Sequence, residues 1–304
     1  MKIRIATRKS VLALWQANHV ADALRKRPEV TGVKLVPMST GGDQALDKSL
    51  QKIGGKGLFI KELEVAMEAG DADIAVHSMK DVPAQIPDGF CIAAVLARAN
   101  PADALVGAKL NDLGSGARVG SSSLRRQSQL LALRPDIVVE PLRGNVITRL
   151  KKLEAGQYDA IILACAGLQR LGRGSQISEA FTLEQMLPAA AQGVIGIECR
   201  DDRADLLQMM GRLDHAETST TTTAERAVAL RLQADCQSPV AAYGHIVASS
   251  LHLQAMVASR AGDQIIREQI SGPVDEAAAL GASLADRMLD RGAGDLLAES
   301  GNTE

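Results

Sequence analysis

Glu68-Ala69-Gly70-Asp71-Ala72-Asp73-Ile74 and Glu154-Ala155-Gly156-Gln157-Tyr158-Asp159-Ala160 carry one pattern twice: a helix end, a glycine stop and the strand that follows. Glycine ends helices because it enters the left-handed region without a Cβ penalty. The repeat is read as two similar α/β units. Working outward, Lys2 to Ala6 alternates as a strand, Thr7-Arg8-Lys9-Ser10 turns, and a helical stretch carries Leu14, Trp15, Ala17, Ala21 and Leu24. Val33 to Met38 reads as a second strand, Ser39 to Gly57 as a polar loop, Leu58 to Glu68 as a helix and Asp73 to Val76 as a buried strand. The second unit repeats this order. A strand at Arg118-Val119-Gly120 leads through Ser121-Ser122-Ser123 to a helix from Leu124, followed by a strand Ile137 to Glu140, a helix Val146 to Leu153 and a strand Ala160 to Ala164.

Beyond Glu217 the composition changes to a threonine run, and Thr222 with Glu225 forms a capping-box pattern ahead of a helix through Leu232. Strand-like pieces Ala241 to Val247, Leu251 to Val257 and Gln264 to Ile270 follow, joined at Ser249-Ser250 and Ala261-Gly262, then a helix from about Asp275 to Asp290. That pattern is an antiparallel sheet with helices. The expected domains are 1–98 with 193–213, 99–192 inserted between hinge segments around Arg98 to Pro101 and Pro188 to Gln192, and 214–304. Val194 to Arg200 returns to the first domain.

The 304 residues are 46% hydrophobic, enough for two or three cores, and 2% aromatic, which leaves little stacking surface for single-stranded nucleic acid. A formal net charge of -2 gives no support to nucleic-acid or anionic-membrane partners. No apolar run approaches the roughly 20 residues that span a bilayer. Met1-Lys2-Ile3-Arg4-Ile5 enters a strand directly without a signal-peptide apolar segment, so the expected location is cytoplasmic. Four separated cysteines without a C-x-x-C pair argue against disulfides and a zinc site. No histidine pair has ligand spacing, and no metal is expected.

Arginines gather at turns and helix starts: Arg8, Arg125, Arg126, Arg143, Arg149 and Arg170. Singly each reads as a solvated surface residue. Together, at strand ends that converge on a crevice, they suit a ligand with several carboxylates or phosphates. Lys52-Ile53-Gly54-Gly55-Lys56-Gly57 fails the P-loop spacing, because Leu50 stands where a glycine is needed and Gly57 where Ser or Thr is needed. It reads equally as a mobile glycine loop or as a lid whose lysines close over an anion. Asp81 either terminates the strand or stabilises positive charge among the cations; His77 reads as packing. Cys91, Cys165 and Cys199 sit in apolar surroundings, whereas Cys236, in Ala234-Asp235-Cys236-Gln237-Ser238-Pro239, reads as an exposed thiol, incidental or nucleophilic.

Arg4-Ile5-Ala6-Thr7-Arg8-Lys9-Ser10, Gly54-Gly55-Lys56-Gly57-Leu58-Phe59, Ala75-Val76-His77-Ser78-Met79-Lys80-Asp81, Gly120-Ser121-Ser122-Ser123-Leu124-Arg125-Arg126-Gln127, Leu142-Arg143-Gly144-Asn145 and Asp235-Cys236-Gln237 resemble, in this order, the porphobilinogen deaminase (hydroxymethylbilane synthase) family. The resemblance implies an α/β fold of two type II periplasmic-binding-protein-like domains plus a smaller α+β C-terminal domain with an antiparallel sheet. It implies a transferase of tetrapyrrole biosynthesis that joins four porphobilinogens, with loss of ammonia, onto a dipyrromethane cofactor bound covalently through Cys236, then frees hydroxymethylbilane by hydrolysis. Lys80, Asp81, Ser121, Ser123, Arg125, Arg126 and Arg143 would hold the cofactor, with Asp81 catalytic. Arg8, Ser10, Arg149, Arg170, Lys52 and Lys56 would hold porphobilinogen and the growing polypyrrole. The expected state is monomeric, with no nucleic-acid or membrane partner. Two rivals are a two-domain oxyanion-binding protein without catalysis and a nucleotide-binding enzyme, the latter opposed by the failed P-loop.

Overall fold

The structure, a computed structural model, describes residues 1–41, 60–235 and 237–301. Lys52, Lys56, Cys236 and the first residues of the helix expected from Leu58 lie outside the described residues. The chain forms two compact units, 1–98 with 194–219 and 99–193 with 220–304.

The first unit is built on strands β1 (Lys2–Arg8), β2 (Gly32–Met38), β3 (Ile74–Ser78), β4 (Phe90–Val95) and β10 (Ile195–Arg200), in the order β2-β1-β3-β10-β4. β1 runs parallel to β2 and β3, and β10 runs antiparallel to β3 and β4. Helix α1 (Val11–Arg25) starts at Ser10, whose hydroxyl accepts from the Ala13 N–H at 3.2 Å, a standard N-cap. It buries Gln16, Ala17, Val20, Ala21 and Leu24. The four apolar residues pack with Ile3, Ile5, Ile74, Val76, Ile195 and Ile197 on one sheet face. Helix α2 (Lys61–Glu68) covers the other, placing Leu63, Ala66 and Met67 against Ala6 and Ala75. The period-2 alternation of a strand accounts for both faces.

In the second unit, β5 (Asp103–Val106), β6 (Arg118–Gly120), β7 (Val138–Glu140), β8 (Ala160–Ala164) and β9 (Glu179–Ala180) lie in the order β7-β6-β8-β5-β9. Here too the first three strands are parallel and the fourth is antiparallel to its neighbours. Helices α3 (Leu124–Leu133), α4 (Val146–Glu154) and α5 (Cys165–Arg170) connect them. The sequence echo is a structural equivalence. Gly70 and Gly156 end α2 and α4 at φ 72° and 70°. Asp73 N–H donates to Arg4 O at 2.9 Å while Arg4 N–H donates to Asp73 Oδ2 at 2.8 Å. Asp159 and Arg118 make the same pair at 2.9 and 2.6 Å. In each unit the aspartate fixes the register of the incoming strand.

The second unit also contains a separate antiparallel sheet of β11 (Val240–Val247), β12 (Ser250–Ala258) and β13 (Ile265–Pro273). One face packs on α7 (Ala216–Arg231), α8 (Ala277–Asp290) and α9 (Ala293–Gly301) through Val228, Leu253, Val257, Leu284, Met288 and Leu296. The helix α6 (Ala204–Gly211) belongs to the first unit. The first hairpin turns at Ala248 and Ser249, both left-handed at φ 47° and 65°, one residue before the expected Ser249-Ser250. Two successive positive φ values match the twist of the flanking strands.

The capping box is not formed. α7 begins at Ala216, where His215 Nδ1 accepts from the Thr218 N–H at 3.2 Å, so the threonine run lies inside the helix. Packing overrides the modest helix propensity of threonine, with Thr218, Thr221 and Thr222 buried. Glu225 is fully buried and accepts from the N–H groups of Ala191 at 2.6 Å and Gly244 at 2.7 Å. It ties the sheet to the segment before β10 instead of capping a helix.

Candidate active site

Parallel strands deliver the residues that follow them to one sheet edge, the usual ligand edge of open α/β sheets. In the first unit β1 ends at Arg8, and β3 passes into a single 3-10 turn, Met79–Asp81. A cleft there is lined by Arg8, Ser10, Gln16, His77, Ser78 and Asp81. Three expected site residues, Arg8, Ser10 and Asp81, are thus brought together. Lys80 is on the same turn and half-buried, and Asp81 is exposed. Behind them Gln16, buried, donates from Nε2 to Ser78 Oγ at 2.7 Å, locking the start of the turn against α1.

In the second unit the residues after β6 are Ser121, buried, and Ser123, at the N-terminus of α3. Ser121 Oγ accepts from the Ser123 N–H at 3.2 Å, and the Ser123 hydroxyl makes no capping bond to the helix. Arg125 and Arg126 are buried at 4% and 6% exposure, far from the solvated reading each had singly. Both converge on Asp103, which is fully buried: Arg125 Nη1 donates to Oδ2 at 2.7 Å, and Arg126 donates to Oδ1 from Nε at 2.9 Å and Nη2 at 2.7 Å. Burial pushes the Arg125 pKa down, and the Asp103 charge opposes that shift. Buried charges are tolerated when paired and hydrogen-bonded in this way.

Arg143 is half-buried in the loop after β7. Arg149, on α4, donates from Nε to Gly144 O at 2.7 Å, and Gly144 sits at φ 114°. Arg170 ends α5 and donates to Gly193 O at 2.7 Å; burial pushes its pKa down to about 10. Lys52, Lys56 and Cys236 lie outside the described residues. Cys165 and Cys199 are buried and Cys91 is half-buried.

His77 does more than pack. Its Nε2 lies 2.8 Å from Glu198 Oε2, with side-chain exposures of 6% and 0%. Glu64, on α2, stands against the same pair, and burial followed by the Glu198 charge pushes its pKa up to about 7. Sequence reasoning passed over this cluster. The available signal was Glu198 itself, a lone acid inside the apolar run Ile195 to Cys199.

Among the described residues no group of His, Cys, Asp and Glu is placed to hold a metal ion, and no helix is long and apolar enough to cross a membrane.

A family profile described as "Porphobilinogen deaminase, dipyromethane cofactor binding domain" matches residues 3–208, and "Porphobilinogen deaminase, C-terminal domain" matches residues 219–290. A porphobilinogen deaminase of Xanthomonas axonopodis pv. citri is 52% identical over 300 residues, covering 98% of this chain and 99% of the relative. That of Stenotrophomonas maltophilia is 51% identical over 298 residues, covering 97% and 98%. Among solved structures, the periplasmic VFT2 domain of BvgS from Bordetella pertussis is 14% identical with a TM-score of 0.42, covering 70% of this chain and 86% of that one. The ligand-binding component of an ABC-type import system from Staphylococcus aureus is 12% identical with a TM-score of 0.42, covering 75% and 77%. Half of all positions are shared with the curated relatives across almost the full length of both chains, and the chain belongs to the porphobilinogen deaminase family.

Proposed function

We propose that Asp81 is the carboxylate that serves this family's reaction here, stabilising the cation left when porphobilinogen loses ammonia. The observation that carries the reading is the cleft that gathers Arg8, Ser10 and Asp81 at the carboxyl ends of β1 and β3. Porphobilinogen bears acetate and propionate carboxylates, and a guanidinium can grip each one bidentately. A pyrrole N–H is a donor, and an exposed carboxylate is the acceptor that strengthens as positive charge develops on the ring.

The dipyrromethane cofactor of this family carries acetate and propionate carboxylates, which suit guanidinium, ammonium and hydroxyl donors. Lys80, Ser121, Ser123, Arg125, Arg126 and Arg143 would hold its carboxylates, Asp81 would accept from its N–H groups, and Cys236 would carry it as a thioether. When bound, it supplies the pyrrole end to which the first substrate unit is joined. Asp103 fixes the direction of both buried guanidiniums, taking Nη1 of Arg125 and Nε and Nη2 of Arg126. Arg149, Arg170, Lys52 and Lys56 would hold the carboxylates of the growing chain, the lysines being assigned from the sequence. A non-catalytic oxyanion binder is set aside, since the relatives that match nearly end to end are deaminases.

The division into domains 1–98 with 193–213, 99–192 and 214–304 is supported by three separate sheets. A cytoplasmic monomer is the state proposed. Cys91 and Cys199, opposite one another across β4 and β10 as thiols, suit a reducing compartment.

Asp81→Ala tests the central role. The variant is expected to keep its dipyrrole by intact mass and to lose turnover by about a hundredfold or more, the scale of one charge-stabilising group. Near-normal ammonia release would remove Asp81 from the chemistry.

A further inference from the structure

The cluster His77, Glu198 and Glu64 is not used by the chemistry above. His77 lines the cleft and binds Glu198 through Nε2, leaving Nδ1 as its second ring nitrogen. Glu198 is fully buried, and its Oε1 has no hydrogen-bond partner. Buried carboxylate oxygens are rarely left without a donor. Glu64, half-buried, is on α2, which packs against Ala75, the β3 residue paired with Glu198. Burial and the neighbouring Glu198 charge both disfavour the Glu64 anion, so Glu64 retains its proton. A protonated Glu64 is then the donor that Glu198 Oε1 lacks. Glu64 keeps that proton up to about pH 7, held by burial and by the Glu198 charge against the opposing pull of His77. The charged groups that act on Glu64 are Glu198 and His77 from the sheet and Glu68 from its own helix; the Cys91 and Cys199 thiols lie near enough to Glu198 to feel its charge.

Each condensation must dispose of one proton. The aminomethyl group enters as ammonium and leaves as ammonia, taking the electron pair of its C–N bond. The new C–C bond uses electrons of the receiving pyrrole, whose ring hydrogen then departs as a proton. We propose that His77, Glu198 and Glu64 form a relay that takes this proton from the cleft and delivers it to solvent. His77 accepts it at Nδ1 and passes the Nε2 proton to Glu198 Oε2. Neutralising Glu198 loosens the proton that Glu64 donates to Oε1, and Glu64 releases it to solvent; the Glu198 proton then passes to Glu64 and the His77 ring proton returns to Nε2, which restores the starting state. Glu198 and Glu64 are positioning and relay groups, not catalytic residues, and the relay rests on the reading of this cleft as the reaction site.

The test is kcat for porphobilinogen against pH in holoenzyme whose dipyrrole content is first read by intact mass. Wild-type kcat should rise with pH through about 7, as release of the Glu64 proton to solvent becomes favourable. Glu64→Gln should lower kcat by about a hundredfold, the low end for positioned proton transfer, and should abolish that limb with KM and dipyrrole content unchanged. Glu198→Gln, which keeps shape and hydrogen bonding, should do the same; a merely structural role would lower Tm and leave the limb in place. Glu64→Gln with wild-type kcat and an intact limb overturns the relay. Wild-type protein without the dipyrrole mass overturns the cleft reading, and the relay with it.

Discussion

Glu64 binds a proton more tightly in the folded chain than in the unfolded one, its pKa rising from 4.5 to about 7 because burial and the Glu198 charge disfavour its anion. A group whose folded pKa is the higher contributes stability below the unfolded pKa and loses it as pH rises through the folded value. The window here is therefore about pH 4.5 to 7. Relative to wild type, Glu64→Gln should raise Tm at pH 8 and leave it little changed at pH 4. Parallel Tm curves for the two proteins across that range would contradict the assignment. The same side chain would then lower stability at neutral pH and serve proton transfer, a common trade at functional sites. Arg8, Ser10 and Asp81 were legible in the sequence because each lies at, or within three residues of, the carboxyl end of a strand. Glu198 and His77 were not, because their partnership joins residues 121 positions apart, and an acid in a strand reads as half-exposed until both faces are seen to be covered. Arg125 and Arg126 were legible as a cationic pair but not as buried, since nothing local marks Asp103 as their partner.

Between elements, close approach is controlled by glycine. Gly281 lies inside α8, and a Cβ built on it would come within 2.3 Å of Ala224 O and 2.7 Å of Ala227 Cβ on α7. Both obstacles belong to a packed helix and cannot swing away. Gly281→Ala should therefore cost about 1–3 kcal/mol, the scale of core overpacking, despite the better helix propensity of alanine. Gly211→Ala, with nothing within 4 Å of the added atom, should be neutral or stabilising. Urea unfolding midpoints compare the two, and equal midpoints would contradict the packing of α7 on α8. The helix-Gly-strand echo was legible because the left-handed stop and the strand aspartate are encoded within seven residues. The α7 start was misread because its cap is a histidine, and Thr222 with Glu225 mimics a box. Glu225 is instead taken up by two distant backbone N–H groups.

At the scale of the molecule, each unit presents charged side chains at the carboxyl ends of its own parallel strands. The repeated five-strand order explains why Arg8, the last residue of β1, and Ser121 to Arg126, which follow β6, stand at the carboxyl ends of corresponding strands. Sequence periodicity reached the three sheets because each rests on short alternating strands with glycine or polar turns. It could not reach the grouping of 220–304 with 99–193, which depends on side-chain packing across the chain, as where Leu187 joins Ala241, Met256 and Ala258. The central claim is that this machinery works on a dipyrromethane anchored at Cys236. Intact-mass analysis of the purified protein and of Cys236→Ser tests it most directly. The expected result is a wild-type mass exceeding that of the sequence by one dipyrrole, with the excess and the activity both lost in Cys236→Ser. An active wild-type protein at the bare sequence mass, or a Cys236→Ser protein that keeps the excess, would contradict it.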